Sequence, residues 1–183
     1  YVLIGTGLLW FGWFGFNAGS ALGANDLAVS AFAHTNTAAA SAGLTWMFFD
    51  VLRGKKPSVL GFCIGAVVGL VAITPGSGFV GVANSAFIGF IAAIISNLVC
   101  AWKAKSSLDD TLDVFPCNGV GGMVGMLLTG VFANHAVNSV VGLDGKANHQ
   151  GLLYGGDLFG PQFIGMAIVV TYSFVVSFII FKF

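Results

Sequence analysis

Three residues on one apolar stretch have the types and spacing to hold a small cation. In Trp10-Phe-Gly-Trp-Phe-Gly-Phe-Asn-Ala-Gly-Ser20, the side chains of Trp13, Phe16 and Ser20 are three and four positions apart, so a helix puts them on one face. Two aromatic rings with a hydroxyl one turn beyond form a cradle, because ring quadrupoles attract ammonium-type ions by ~1–2 kcal/mol when water is excluded. The same spacing also describes an aromatic packing ridge beside a serine bonded to its own helix backbone. Spacing alone leaves both readings open.

Other polar groups stand in apolar surroundings. His34-Thr-Asn-Thr37 begins eight residues beyond Asp26. Ionisable groups at membrane depth are functional candidates by default. The reading favoured here is blander: interhelical hydrogen bonds from Asn36 and Thr37, with His34 near the headgroups. Asp113 opens the stretch Asp113-Val-Phe-Pro-Cys-Asn-Gly-Val-Gly-Gly122, where a carboxylate complements the helix dipole and caps free amides. Asn118, one turn further in, needs partners across helices or a water-lined path. Gly119, Gly122 and Gly125 around it allow a tight helix approach. Thr74, in Thr74-Pro-Gly-Ser-Gly78, offers a hydroxyl at a helix break, with turn formation the simpler role. Asp109 and Asp110 read as solvated loop charges beside Lys103 and Lys105. No phosphate loop or Cys/His metal spacing is present, there is no Glu, and His135 and His149 alone make a weak metal case. No cofactor is expected.

The elements that must carry these residues follow from composition. Of 183 residues, seven are basic and seven acidic, so charged residues are 8%, against roughly 25% in soluble domains. Hydrophobic residues make up 57%, and the mean hydropathy is +0.93. That balance excludes a soluble enzyme, a disordered tail and a basic nucleic-acid binder. The lipid bilayer is the implied partner. Six stretches are expected to span it, each of about 20 apolar residues or nearly so: 2–22, 27–49, 57–74, 79–102, 114–133 and 159–181. Continuous apolar runs without period-2 alternation choose helices over strands. The fold class expected is an all-α membrane protein of six transmembrane helices, with residues 1–183 as one partial membrane domain.

Charge placement orients it. Arg53, Lys55 and Lys56, then Lys103 and Lys105, then Lys182 fall at alternate helix ends, leaving only Lys146 for the other side. By the positive-inside rule both chain ends are cytoplasmic and the loop from Asn134 is extracellular. The 27 glycines suit close helix packing, and Gly61, Gly65 and Gly69 line one stripe. Cys63, Cys100 and Cys117, an odd count in or beside apolar runs, read as buried, unreactive thiols. A start at Tyr1 inside an apolar run and an end where the last helix runs out are what an incomplete chain would show.

The run Leu9–Ser20 resembles the sixth transmembrane helix of the Amt/Mep/Rh ammonium transporters. Asn36-Thr37, Gly69-Leu-Val-Ala-Ile-Thr-Pro75 and Asp113-Val-Phe115 followed by Gly119-Val-Gly look like the same family in its order. The resemblance implies the second half, helices six to eleven, of an eleven-helix inverted-repeat channel or transporter. It further implies a homotrimer in the plasma membrane with one narrow pore per subunit, and ammonium/ammonia as substrate with methylammonium as analogue. By it, Ser20 is the hydroxyl of the outer recruitment site and Phe16 one of two rings gating the pore. Trp13 lines the pore wall deeper in, and Thr74 lies near the outer vestibule. Helices one to five, with the first pore histidine, are absent from this chain.

One position departs from the family. Asn118 stands where the second pore histidine belongs. An imidazole relays protons near neutral pH, whereas an amide donates and accepts hydrogen bonds but does not. The alternative function is therefore a transport-deficient ammonium sensor or structural subunit, or a truncated fragment. A cytoplasmic signalling partner of the family's type is not assessable from these residues.

Overall fold

The computed structural model describes residues 1–141 and 149–182. Lys146, the one basic residue expected outside, lies beyond the described residues. Among them the regular structure is helical: α1 Val2–Ala18, α2 Asp26–Leu52, α3 Val59–Ile73, α4 Val82–Lys103, α5 Gly121–Phe132 and α6 Phe159–Lys182. Short turns of tighter helix follow α1 at Gly19–Ala21 and precede α6 at Leu152–Tyr154. Four stretches are long and apolar enough to cross a membrane, namely Val2–Ala21, Val82–Lys103, Phe115–Phe132 and Phe159–Lys182. Val59–Ile73 is a shorter apolar helix.

Local chemistry sets the boundaries. Asn25 caps α2 by accepting the Ala28 amide at 2.9 Å, and Ser58 caps α3 by accepting the Gly61 amide at 2.9 Å. Leu22 takes the left-handed conformation at φ 54° and turns the chain out of α1. Pro75, Gly76 and Gly78 stop α3 where the sequence places a break. α2 runs to Leu52, past the expected limit of 49, because Asp50 near its end has partners and is buried there.

α2, α3 and α4 form the packed centre. Ala38, Ala42 and Trp46 of α2 meet Val68, Ala72 and Ile73 of α3 and Ile88, Ala92 and Ala93 of α4. The glycine stripe of α3 makes this contact possible. A Cβ on Gly65 would lie 2.6 Å from Trp46 Cβ, and one on Gly69 2.7 Å from Ala42 Cβ. Gly89 of α4 meets the Ala38 carbonyl just as closely. α1 lies against α2 and α3, α5 against α3 and α4, and α6 packs on α5. None of the α6 side chains is buried.

The fifth expected span is not one continuous α-helix. It opens with a π-helical segment, Phe115–Val120, which holds Pro116, Cys117 and Asn118. Pro116 has no amide to donate, and the hydrogen-bond ladder widens around it. Of the three glycines expected to bring a helix close, Gly125 does so, against the Ala72 carbonyl. Gly122 meets Val71 in ordinary contact, and Gly119 meets only the ring of Phe115 in its own turn.

Candidate functional site

α1 carries the aromatic face as its spacing requires. The rings of Trp13 and Phe16 are 5.8 Å apart and tilted at 59°. Trp13 is half-buried, while Phe16 and Ser20 are exposed. The indole Nε1 of Trp13 donates to Thr74 Oγ1 at 2.8 Å, and that hydroxyl donates to the Leu70 carbonyl at 2.8 Å. Two residues singled out separately in the sequence thus meet, and the ring plane of Trp13 is fixed by the end of α3. Leu8, Leu9, Gly12, Trp13 and Phe16 border an open cavity of about 390 Å³ along this face.

The Ser20 hydroxyl donates to the Phe16 carbonyl at 2.6 Å. Its bond to its own helix backbone does not exclude a cradle, since it uses the proton and leaves the oxygen lone pairs free to accept from a cation.

The next residue on α1 was missed by spacing. Asn17 is buried and donates from Nδ2 to Thr35 Oγ1 at 3.0 Å, while Thr35 donates to the Ala31 carbonyl at 2.7 Å. This bond pins α1 to α2 immediately beside Phe16. An amide inside an aromatic run is the signal that marks it, because a buried amide requires a partner.

The cluster at His34 differs from the expectation. His34 is buried, and its Nδ1 is bonded to the Ser77 carbonyl in the turn between α3 and α4. Asn36 is exposed, and Thr37 donates back to the Ala33 carbonyl in its own helix at 2.8 Å. The interhelical contacts come instead from Thr35, and from Ser41, which donates to the Ala86 carbonyl at 2.8 Å. Thr35 lies on another face than Asn36 and Thr37, whereas Ser41 shares the Thr37 face one turn on, and sequence does not say which of these positions meets a neighbour.

At the other end of α1, Asn118 is exposed on the π-helical segment. It borders a cavity of about 180 Å³ with Val2, Thr6, Cys63, Asp113 and Cys117. Asp113, at φ 54°, does not cap the helix that follows. Its carboxylate pairs with Lys103 at 2.6 Å. The cap is Asp110, which accepts the Val114 and Phe115 amides at 2.9 Å each. Those amides, Phe115 first, hold the Asp110 carboxyl below the usual carboxylate range. Three residues of reach let the chain loop back over its own helix start, which a reading of nearest neighbours does not show.

A further polar network lies beyond the end of the second expected span. Asp50 Oδ1 accepts from Asn97 Nδ2 at 3.1 Å and faces Lys55 at 3.5 Å, while Arg53 Nη1 donates to Asn97 Oδ1 at 2.7 Å. It borders a cavity of about 380 Å³ that reaches Cys100, Lys103 and Asp113. A buried carboxylate needs such partners.

Apolar helices packed through glycine, with isolated polar bonds between them, define a multi-span helical membrane protein. The Ammonium Transporter Family model matches residues 1–183. The ammonium transporter of Aquifex aeolicus is 52% identical over 143 residues, 78% of this chain and 34% of its own length. Ammonium transporter Amt1 of Archaeoglobus fulgidus is 44% identical over 181 residues, 98% of this chain and 44% of its own. Among solved structures, Mep2 of Candida albicans superposes with a TM-score of 0.88 at 42% identity, covering 97% of this chain and 39% of that one. A structure described as a sensor Amt protein superposes at 0.84 with 31% identity, covering 98% and 42%. The chain belongs to the ammonium transporter family. It spans less than half the length of the curated relatives it matches.

Proposed function

We propose that residues 1–183 form one half of the membrane domain of an ammonium/ammonia transporter, a conducting protein and not an enzyme. The observation that supports this most directly is the α1 face. It carries Trp13, Phe16 and Ser20 in one line, with the Trp13 indole braced by Thr74 at 2.8 Å. On this reading the Ser20 oxygen accepts from an ammonium ion at the outer end and the ring faces attract it. Phe16 is the gate. Ammonia then passes the wall of Trp13 and Thr74 toward Asn118, whose amide can bond it without relaying a proton. The complete protein is a homotrimer in the plasma membrane with both ends of this segment cytoplasmic.

The test is uptake of labelled methylammonium by the complete protein in liposomes. Phe16→Ala together with Trp13→Ala is expected to reduce it at least tenfold. Wild-type uptake by the double variant would overturn the reading.

A second reading has its own observation. The position of the family's second pore histidine is an exposed asparagine, and one similar structure is of a sensor Amt protein. A protein that binds ammonium at Ser20 without conducting fits both. Ammonium-evoked current separates the two when Asn118 and Asn118→His are compared. Current only in the His variant, with methylammonium bound but not accumulated by the natural form, favours the sensor. Equal currents mean that charge movement does not need the second imidazole.

A further inference from the structure

Asn118 stands on a segment that departs from a regular α-helix. Phe115–Val120 is π-helical and Pro116 donates no amide, so the place of Asn118 depends on what anchors either end. The far end is fixed where Gly125 meets the Ala72 carbonyl. At the near end the anchor is Lys103, the last residue of α4. Its side chain is only 13% exposed and pairs with Asp113 Oδ1 at 2.6 Å. The same ammonium group donates to the Asp110 carbonyl. Both ends of the turn 110–113 are therefore tied to α4 through one side chain, while Lys105 is exposed. The turn passes this restraint on. Asp110 holds the Val114 and Phe115 amides, and the Asp113 carbonyl accepts the Cys117 amide at 3.0 Å, one residue before Asn118. Asp113 keeps a left-handed backbone at φ 54°, uncommon for a residue with a Cβ. It borders both the cavity of about 180 Å³ beside Asn118 and the cavity of about 380 Å³ beside Lys103.

We propose that Lys103 is a positioning residue, which sets the place of Asn118 at the inner end of the path by holding Asp113 and the Asp110 carbonyl. This deepens, and rests on, the reading that the protein conducts. Lys103 itself touches no substrate. Its charge is what acts: a partly buried carboxylate that loses its cation is left uncompensated, and the turn that carries it moves toward water. The segment bonded to that turn moves with it, and Asn118 with the segment. Recruitment at Ser20 lies at the opposite end of α1 and does not depend on this anchor.

The test compares the complete protein with Lys103→Met in liposomes, by amide hydrogen exchange and by methylammonium uptake. Amides of residues 114, 115 and 117–120 should exchange about tenfold faster in the Met variant, with those of α1 unchanged. The maximal uptake rate should fall about fivefold, while the half-saturating concentration stays within about twofold. Lys103→Arg should restore both. With Asn118→Ala already in place, Lys103→Met should lower the rate by less than about twofold further, since the two act through one segment. Asp113→Asn, which removes only the charge of the partner, should shift exchange in the same direction and carries the test if the Met variant does not fold. Unchanged exchange in the segment, a loss expressed in the half-saturating concentration, or full additivity with Asn118→Ala would each overturn the proposal. A natural protein that does not accumulate methylammonium would remove the conducting reading alone, and the exchange comparison would still decide whether Lys103 is the anchor.

Discussion

Glycine serves opposite ends in two parts of this molecule. In α1, a Cβ added to Gly5, Gly7, Gly12 or Gly15 would meet nothing within 4 Å. In the α2–α3–α4 centre, a Cβ on Gly65, Gly69 or Gly89 would enter a neighbouring backbone, and Gly125 of α5 does the same against Ala72. The centre closes on itself through small residues, as membrane helices do when lipid supplies no hydrophobic driving force. α1 instead presents an open face, where Leu8 and Leu9 stand beside its glycines and aromatic rings. On the function proposed here, that face is a wall of the pore, lined on its other side by the family's first half.

The sharpest way to break this comparison is to add bulk in each region. Gly69→Leu forces a branched side chain into the Ala38 and Ala39 backbone and the Ala42 Cβ and should lower stability by about 1–3 kcal/mol or more. Gly12→Ala should stay within about 0.5 kcal/mol of the natural chain. Thermal unfolding of the purified protein in detergent reads both. Equal melting temperatures would mean that the two sets of glycines do not differ in kind.

A smaller effect is expected where the two regions touch. Thr74→Val removes the acceptor of the Trp13 indole, and leaving a partly buried donor unmet costs about 1–3 kcal/mol. Methylammonium uptake by the complete protein should fall several-fold, and the tryptophan emission should shift as the ring is released. Uptake at the natural rate would mean that the α3 end does not position α1.

The smallest effect lies outside both regions, at Asp110. Its carboxyl is held below the usual value by the Phe115 and Val114 amides. The stabilisation this brings is fully present above the ordinary carboxylate value of about 4. It is lost as pH falls through the lower folded value. Melting temperature measured against pH should therefore decline on the acid side, and Asp110→Asn should flatten that part of the profile. An unchanged profile would remove Asp110 as the cap.

Membrane class, helical architecture and family were legible in the residues themselves. They rest on composition, run length and an aromatic string, which do not depend on what packs against what. The Trp13, Phe16 and Ser20 face was legible for the same reason, since helical period alone puts those positions together. Partners across helices were not. Nothing in the order of residues says that Asn17 bonds Thr35, that His34 is buried against the Ser77 carbonyl, or that Asp50 is joined to Asn97. A helix in lipid lacks the plain polar and apolar faces that mark the inward side of a soluble one, so its rotation stays open until neighbours are in place. The exchange of roles between Asp110 and Asp113 has a related cause. Both carboxylates stand before the same helix, and only the path of the loop decides which reaches the free amides and which reaches Lys103. Sequence determined which groups are present and which segments hold them in the membrane. The tertiary structure decided which of those groups meet, because hydrogen bonds and ion pairs depend on distances that packing alone sets.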